Sequence, residues 1–331
     1  MINTVIVGMG GIGNNHARSY ASNRHTKVVA VCDMDRPRAD VAAQAHHCPA
    51  FYSIKQMLAS GIRIDTASVT TAGVENGGDH YKPTMELLNA GIPVLGEKPI
   101  SNDIADARKM VALAKKKRLP YAINLNHRFT PAAKRAKQWI DQDRLGELNL
   151  INMTMWINNP NESSPHFHIR ALHPHSLDVM RYFCGDVRKV QAFFKKGRGR
   201  KIWSNVQVNL LFASGVIGHL TGSYDGDYGS GSYGLETCEV VGSSGRFVLI
   251  DACEKLSFYP RGSKEVETFE CLGGMRDFGE TFQSRINAWV DDLRKKTPPN
   301  KINAKAEDAL QVQLIIEGAI KSWDTGKVVT L

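Results

Sequence analysis

Apolar residues over the first third of the chain come in short groups at regular intervals. Thr4–Val7, Val28–Cys32, Ala67–Thr70, Val94–Leu95 and Tyr121–Asn124 are brief apolar runs that read as strands. Between them lie amphipathic stretches at Ile12–Ser22, Pro37–Ala45, Tyr81–Asn89 and from about Ile104 to Lys117, which read as helices. Strands alternating with helices of this size predict an α/β fold with a doubly wound parallel sheet. Each parallel pairing needs a crossover, and the crossover helices cover both faces.

The rhythm changes after about residue 125. A helix at Ala132–Asp141, strands near 148–157 and a helix at roughly 176–184 come first. Strand-like segments follow at 187–194, 203–212, 216–224, 235–242, 246–250 and 255–260, and helices near 277–295 and 304–323 close the chain. Aromatic and β-branched residues between Gly/Ser turns predict a mostly antiparallel, open sheet in an α+β second domain. A sheet of that size has to be covered, so a homodimer or homotetramer built through it is expected. No repeat or low-complexity tract interrupts either part.

Composition narrows the class of protein. The chain has 331 residues, 42% hydrophobic and 23% charged, a globular balance with length for two cores. No apolar run approaches the roughly 18 to 20 residues of a membrane span. The start, MINTVIVGMGGIG, lacks the basic segment and cleavage site of a secretory signal, so a cytoplasmic protein is expected. Six cysteines without CxxC spacing read as free thiols rather than as a disulfide or zinc framework. The net charge of +9 raises the question of nucleic acid, and Lys195–Lys201 is locally basic. That run has the glycines of a surface turn and no accompanying recognition motif, so no nucleic-acid partner is expected.

Gly8, Met9, Gly10, Gly11, Ile12 and Gly13 form GxGxxG directly after the first strand and at the start of a helix. In that context Gly8 allows the tight turn, Gly10 admits a pyrophosphate close to the backbone, and Gly13 lets helix and strand pack closely. The helix N-terminus then offers N–H groups and a positive dipole end to the phosphates. Asp33 closes the second strand, where a carboxylate accepts from ribose hydroxyls and repels a 2′-phosphate. NAD is therefore favoured over NADP, although Arg36 and Arg38 lie close by. The predicted division is a dinucleotide-binding Rossmann domain at 1–124 and a second domain at 125–331. Glu97-Lys98-Pro99 follows the strand at Val94–Leu95, and the proline keeps Lys98 extended at the strand tip, facing the ligand crevice.

Together these motifs resemble the Gfo/Idh/MocA family, the glucose–fructose oxidoreductase and inositol dehydrogenase group. The resemblance adds Asn124–Pro131 (NLNHRFTP), Leu145–Glu147 (LGE) and the helix His175–Tyr182 (HSLDVMRY) to GxGxxG and EKP. It implies hydride transfer between a sugar, polyol or inositol-like alcohol and NAD. Lys98 would hydrogen-bond the reacting oxygen, and His175 would act as general base or acid. Asp178 would orient that histidine, touch substrate, or simply cap or pair locally, Arg128 and Asn126 would line the pocket, and Thr71, His80 and Glu97 would lie beside the cofactor. Two departures stand out. Ala171 occupies the place of an aspartate common in inositol-dehydrogenase-like members, with His173 at a usually small position, and Thr71–His80 is longer than the family's usual turn.

Other readings remain open. His166, His168, His173 and His175 (HxH-x4-HxH) carry metal-ligand residue types. The ordinary account assigns no metal, with His175 catalytic and His168 and His173 bonding substrate hydroxyls. Trp156 stacks on a sugar or packs in the core. An enzyme that keeps its NAD and oxidises a glycoside transiently, or a dinucleotide-dependent sensor, would carry the same first domain.

Overall fold

The computed structural model describes residues 1–226, 235–251, 254–275 and 279–331. It forms two compact units, Met1–Leu125 with Phe282–Leu310, and Asn126–Thr281 with Gln311–Leu331. A single division after residue 124 therefore leaves out part of the first unit, which takes back a segment from near the end of the chain. The reason is burial. Ile286, Trp289, Val290 and Ile302 share one cluster with Ile6, Tyr20, Val31 and Leu95, and Trp289 Nε1 donates to Thr66 Oγ1 (3.2 Å).

The first unit runs β1 (Ile2–Val7), α1 (Gly11–Ala21), β2 (Thr26–Cys32), α2 (Arg36–His46), β3 (Ala50–Phe51), α3 (Ile54–Ala59), β4 (Thr66–Val69), α4 (Tyr81–Asn89), β5 (Val94–Gly96), α5 (Ile104–Lys117) and β6 (Tyr121–Ile123). The strands make one parallel sheet in the order β3-β2-β1-β4-β5-β6. Val5, Ile6, Ala67, Val69, Val94 and Leu95 are all buried, as a sheet covered on both faces requires. The order reverses beside β1, between β1 and β4. Such a switch point opens a crevice at the carboxyl ends of the strands, where β1 delivers Gly8. The short β3 and α3 escape sequence periodicity because two and six residues define no face.

The second unit contains α6 (Pro131–Asp141), β7 (Leu148–Trp156), α7 (Phe167–Ala171), α8 (His173–Cys184), β8 (Val187–Lys195), β9 (Asn205–Phe212), β10 (Ile217–Ser223), β11 (Leu235–Gly242), β12 (Gly245–Ile250), β13 (Lys255–Pro260) and β14 (Glu267–Glu270). Near the end come α9 (Glu280–Lys295), which opens in this unit, α10 (Ala306–Thr325), which ends in it, and β15 (Val329–Thr330). The nine-stranded sheet has the order β14-β13-β12-β11-β7-β10-β9-β8-β15 and is antiparallel except for the β7–β10 pair. Alternation puts Val206, Val208, Leu210 and Phe212 of β9 inside and Gln207 and Asn209 outside. Trp139 of α6, Phe183 of α8 and Ile316 of α10 join the same buried cluster as Val208 and Phe247. Helix α8 starts at His173, earlier than the expected 176, because Pro174 fits a first turn, where no N–H is needed.

Residues 277 and 278 of the expected helix at 277–295, and Cys253, lie outside the described residues. Cys32, Cys48, Cys184, Cys238 and Cys271 are free thiols. Among the described residues, no helix is long and apolar enough to cross a membrane.

Candidate active site

The glycine loop follows from where β1 ends. Gly8 has φ +96°, and a Cβ there would stand within 2.7 Å of the Thr70 and Thr71 backbone, so glycine is required. Gly13 sits under it, and a side chain there would strike the Gly8 carbonyl oxygen. Gly10 and Gly11 face open space instead. Gly10 is the N-cap of α1, no side chain caps that end, and its first turn carries no acid. The positive end of α1 is thus left for an anionic ligand, which fits a pyrophosphate. Asp33 closes β2 against this loop, its Oδ2 accepting from Met9 N (2.7 Å) and its Oδ1 from Asp35 N (2.9 Å). Arg38 lies 3.5 Å from Asp33 and 3.2 Å from Asp35.

The longer loop after β4 is tied down at its end. The buried His80 places Nδ1 2.7 Å from Pro99 O and Nε2 2.9 Å from Thr71 O, while Thr71 Oγ1 donates to Asp79 O (2.7 Å). Glu97, buried at the end of β5, lies 3.0 Å from His16 Nε2 and accepts from Asn124 Nδ2 (2.5 Å) and Lys98 N (3.2 Å). Burial favours its neutral form, but the His16 bond, the Lys98 charge and Asn124 hold its carboxyl below the usual carboxylate range. Burial pushes the Lys98 ammonium below the usual lysine range, with the Glu97 carboxylate opposing. His16 belongs to no sequence motif. Its signal was a histidine on the α1 face that buries Ala17 and Tyr20.

The second unit gathers the other expected residues. Asn126, His127, Arg128 and Phe129 form one buried 3-10 turn. Arg128 Nε donates to Asp178 Oδ2 (2.6 Å) and its Nη2 to Asp178 Oδ1, and the guanidinium lies 5.0 Å over the Tyr182 ring. Asn126 Nδ2 donates to Thr281 Oγ1 (2.5 Å). His175 stacks on His127, whose Nδ1 faces Glu236; neither partner was a sequence candidate. Arg128 and Asp178 neutralise each other in the interior, and removing one partner leaves a buried charge. Arg128→Met is expected to cost about 3–5 kcal/mol in denaturant unfolding. Arg128→Met/Asp178→Leu should recover most of that, and an equal loss in both variants would contradict the pairing.

The four histidines do not act as one cluster. His168 and His173 meet Nε2 to Nε2 at 3.0 Å, His173 Nδ1 lies 3.1 Å from Ser176 Oγ, and both rings are fully buried. Burial pushes His168 down to about 3 and His173 well below its usual value, so the pair is neutral. Among the described residues, no group of three or more His, Cys, Asp or Glu side chains is arranged to hold a metal ion. Trp156 lines a depression of about 680 Å³ on the large sheet with Phe193, Gln207, Thr221 and Asp225.

Residues 2–125 match the model of an oxidoreductase family with an NAD-binding Rossmann fold, and residues 133–248 match the GFO/IDH/MocA C-terminal domain. The chain belongs to the GFO/IDH/MocA family. It is an NAD-binding oxidoreductase. It is 24% identical over 341 residues to the D-apiose dehydrogenase of Paraburkholderia graminis, covering 98% of this chain and 88% of that one. It is 27% identical over 343 residues to inositol 2-dehydrogenase 1 of Saccharopolyspora erythraea, covering 97% and 94%. The crystal structure of an Agrobacterium radiobacter oxidoreductase with NAD+, L-tartaric acid and magnesium shares the fold, with TM-score 0.87, 18% identity and coverage of 99% and 98%.

With NAD as the cofactor, Asp33 becomes testable. If Asp33 accepts from the ribose and repels a 2′-phosphate, Asp33→Ser removes both effects. We expect NAD to bind about tenfold more weakly, one or two hydrogen bonds' worth, with NADP gaining relative to it in fluorescence titrations. Unchanged preference would show that Asp33 does not set it.

Proposed function

We propose that the protein oxidises a secondary alcohol of a sugar, polyol or inositol-like ring, or reduces the corresponding ketone, with Lys98 and His175 handling the hydroxyl proton. The observation that carries this reading is the anchored Glu97–Lys98 pair at the carboxyl end of β5, in a chain whose relatives include D-apiose and inositol dehydrogenases. Bound NAD supplies the hydride acceptor or donor. Gly8–Gly13 and the start of α1 would hold its pyrophosphate, and Asp33 its ribose. Thr71 and His80 shape the loop beside it, since the His80 ring is engaged by two backbone carbonyls. Lys98 donates to the reacting oxygen and stabilises the charge that develops there. His175 takes up the hydroxyl proton during oxidation and returns it during reduction.

The test offers purified protein NAD or NADP with a panel of polyols, inositols, pentoses and hexoses, and follows reduced-nicotinamide absorbance. Accumulating NADH with one class of ring or open-chain alcohol is expected. A silent panel from protein that binds NAD would overturn the reading and favour a bound-cofactor enzyme or a sensor.

We also propose a cytoplasmic homodimer or homotetramer built through the large sheet. Phe193 of β8 and Ile217 of β10 support it, being 55% and 58% exposed. Sedimentation should show an assembly that Phe193→Glu/Ile217→Glu weakens. A wild-type monomer at micromolar concentration would contradict it.

A further inference from the structure

His127 and Glu236 have no part in the reading above, yet their geometry bears on His175. The rings of His127 and His175 are 4.2 Å apart at their centroids and 19° from parallel. His127 Nδ1 stands 2.9 Å from Glu236 Oε1 and 2.8 Å from Oε2. That hydrogen bond ties one ring nitrogen to the carboxyl group, so the His127 ring cannot flip without losing it. Glu236 is held in turn by Asp251. Its N–H donates to Asp251 Oδ1 (3.1 Å), and its carbonyl accepts from Asp251 N (2.5 Å). Both side chains of the His127–Glu236 pair are almost wholly buried.

Stability does not explain this pair. A buried carboxylate loses its hydration, and apolar groups of the same volume generally pack as well or better. Placement explains it better. Position 171 is alanine and supplies no carboxylate to the start of α8, whereas Glu236 reaches the His175 ring through His127. The contact is face to face, so it takes up neither in-plane nitrogen of His175 while constraining the plane in which both are presented.

We infer that His127 and Glu236 form a positioning pair for His175, the carboxylate fixing the His127 ring and that ring fixing the His175 plane. The inference rests on the dehydrogenase reading for its catalytic meaning, although the coupling of the rings exists without turnover. A base tilted out of line loses rate rather than substrate binding.

The experiment uses whole protein and the alcohol found by the panel. His127→Leu/Glu236→Leu should lower kcat by about tenfold to a hundredfold with KM within about twofold. His127→Phe/Glu236→Leu, which keeps a ring against His175 and also leaves no buried charge, should recover most of that kcat. Glu236→Gln, which keeps an acceptor for Nδ1, should stay close to wild type. Rates are taken per folded molecule, so a purely structural role would leave kcat unmoved in all three. The second readout is independent of turnover: imidazole resonances of ¹⁵N-histidine-labelled protein without substrate. The His175 signals should shift in the Leu/Leu variant and return toward wild type in the Phe/Leu variant. An unmoved His175 signal, or equal kcat in the Leu/Leu and Phe/Leu variants, would overturn the positioning role. A wild type that never turns over, with the histidine shifts intact, would instead overturn the dehydrogenase reading alone.

Discussion

Lys98→Ala is expected to lower kcat about a thousandfold while leaving NAD affinity within a few-fold of wild type. In the proposed mechanism the ammonium is the donor at the tip of β5, and losing one such donor to a developing oxyanion costs about 10²–10³ in rate. Proton handling at the same oxygen adds to that loss. NAD affinity should survive, because the glycine loop, the α1 terminus and Asp33, which are proposed to hold the cofactor, do not depend on this side chain. Burial pushes the Lys98 ammonium down, and Glu97 only partly opposes it. The donor is therefore lost as pH rises, and at a lower pH than an exposed lysine would set. Glu97→Gln removes the opposing charge and should move the alkaline limb of the kcat profile lower still. Steady-state kinetics with a parallel NAD titration reads both effects. A Lys98→Ala enzyme within tenfold of wild type would remove the lysine from the chemistry.

Gly13→Val is expected to abolish NAD binding and weaken the first unit. The new Cβ would strike the Gly8 carbonyl oxygen, and that atom is backbone at the end of a buried strand. It cannot yield without moving the loop, and overpacking of this kind costs about 1–3 kcal/mol or more. Gly10→Ala is the contrasting case, because its Cβ meets no protein atom within 4 Å. That variant should fold like wild type and still bind NAD poorly, since the space it fills is where the phosphates would lie. Thermal unfolding with and without cofactor separates the two. At a hundredfold excess over Kd, wild type should gain about 2.7 kcal/mol from NAD and neither variant should gain as much. A Gly10→Ala protein stabilised like wild type would mean that the loop does not cradle the cofactor.

What the sequence revealed depended on whether the causes were local. The turn from β1 into α1 and the strand tip at Lys98 were legible, because glycine geometry and proline restriction act within a few residues. The return of Phe282–Leu310 to the first unit was not. An apolar stripe such as Ile286, Trp289 and Val290 shows that a helix is buried without saying which sheet receives it. How the histidines divide was not legible for a related reason. His173 and His175 look adjacent, but two residues along a helix turn the side chain by about 200°, so the two rings leave α8 on nearly opposite sides. His173 meets His168 in the core, while His175 meets His127. Asp178 shares a helix side with His175 by spacing, yet its partner is Arg128, fifty residues earlier in the chain. Glu236 reaches His127 from 109 residues away, and no local pattern carries that information. Trp156 was readable in principle. Strand alternation buries Met155 in the core and leaves Trp156 only partly buried, lining the depression on the sheet.

The transfer of hydride between a carbinol carbon and exchangeable NAD is tested most directly with an isotope. The alcohol found by the panel is deuterated at its reacting carbon, mixed with NAD and wild type or Lys98→Ala, and the recovered nucleotide is weighed by mass spectrometry. We expect wild type to release NADH carrying one deuterium for each ketone formed, and the variant to release almost none. Deuterium found only in a carbohydrate product, with no NADH released, would contradict net dehydrogenation and identify an enzyme that returns the hydride to its substrate.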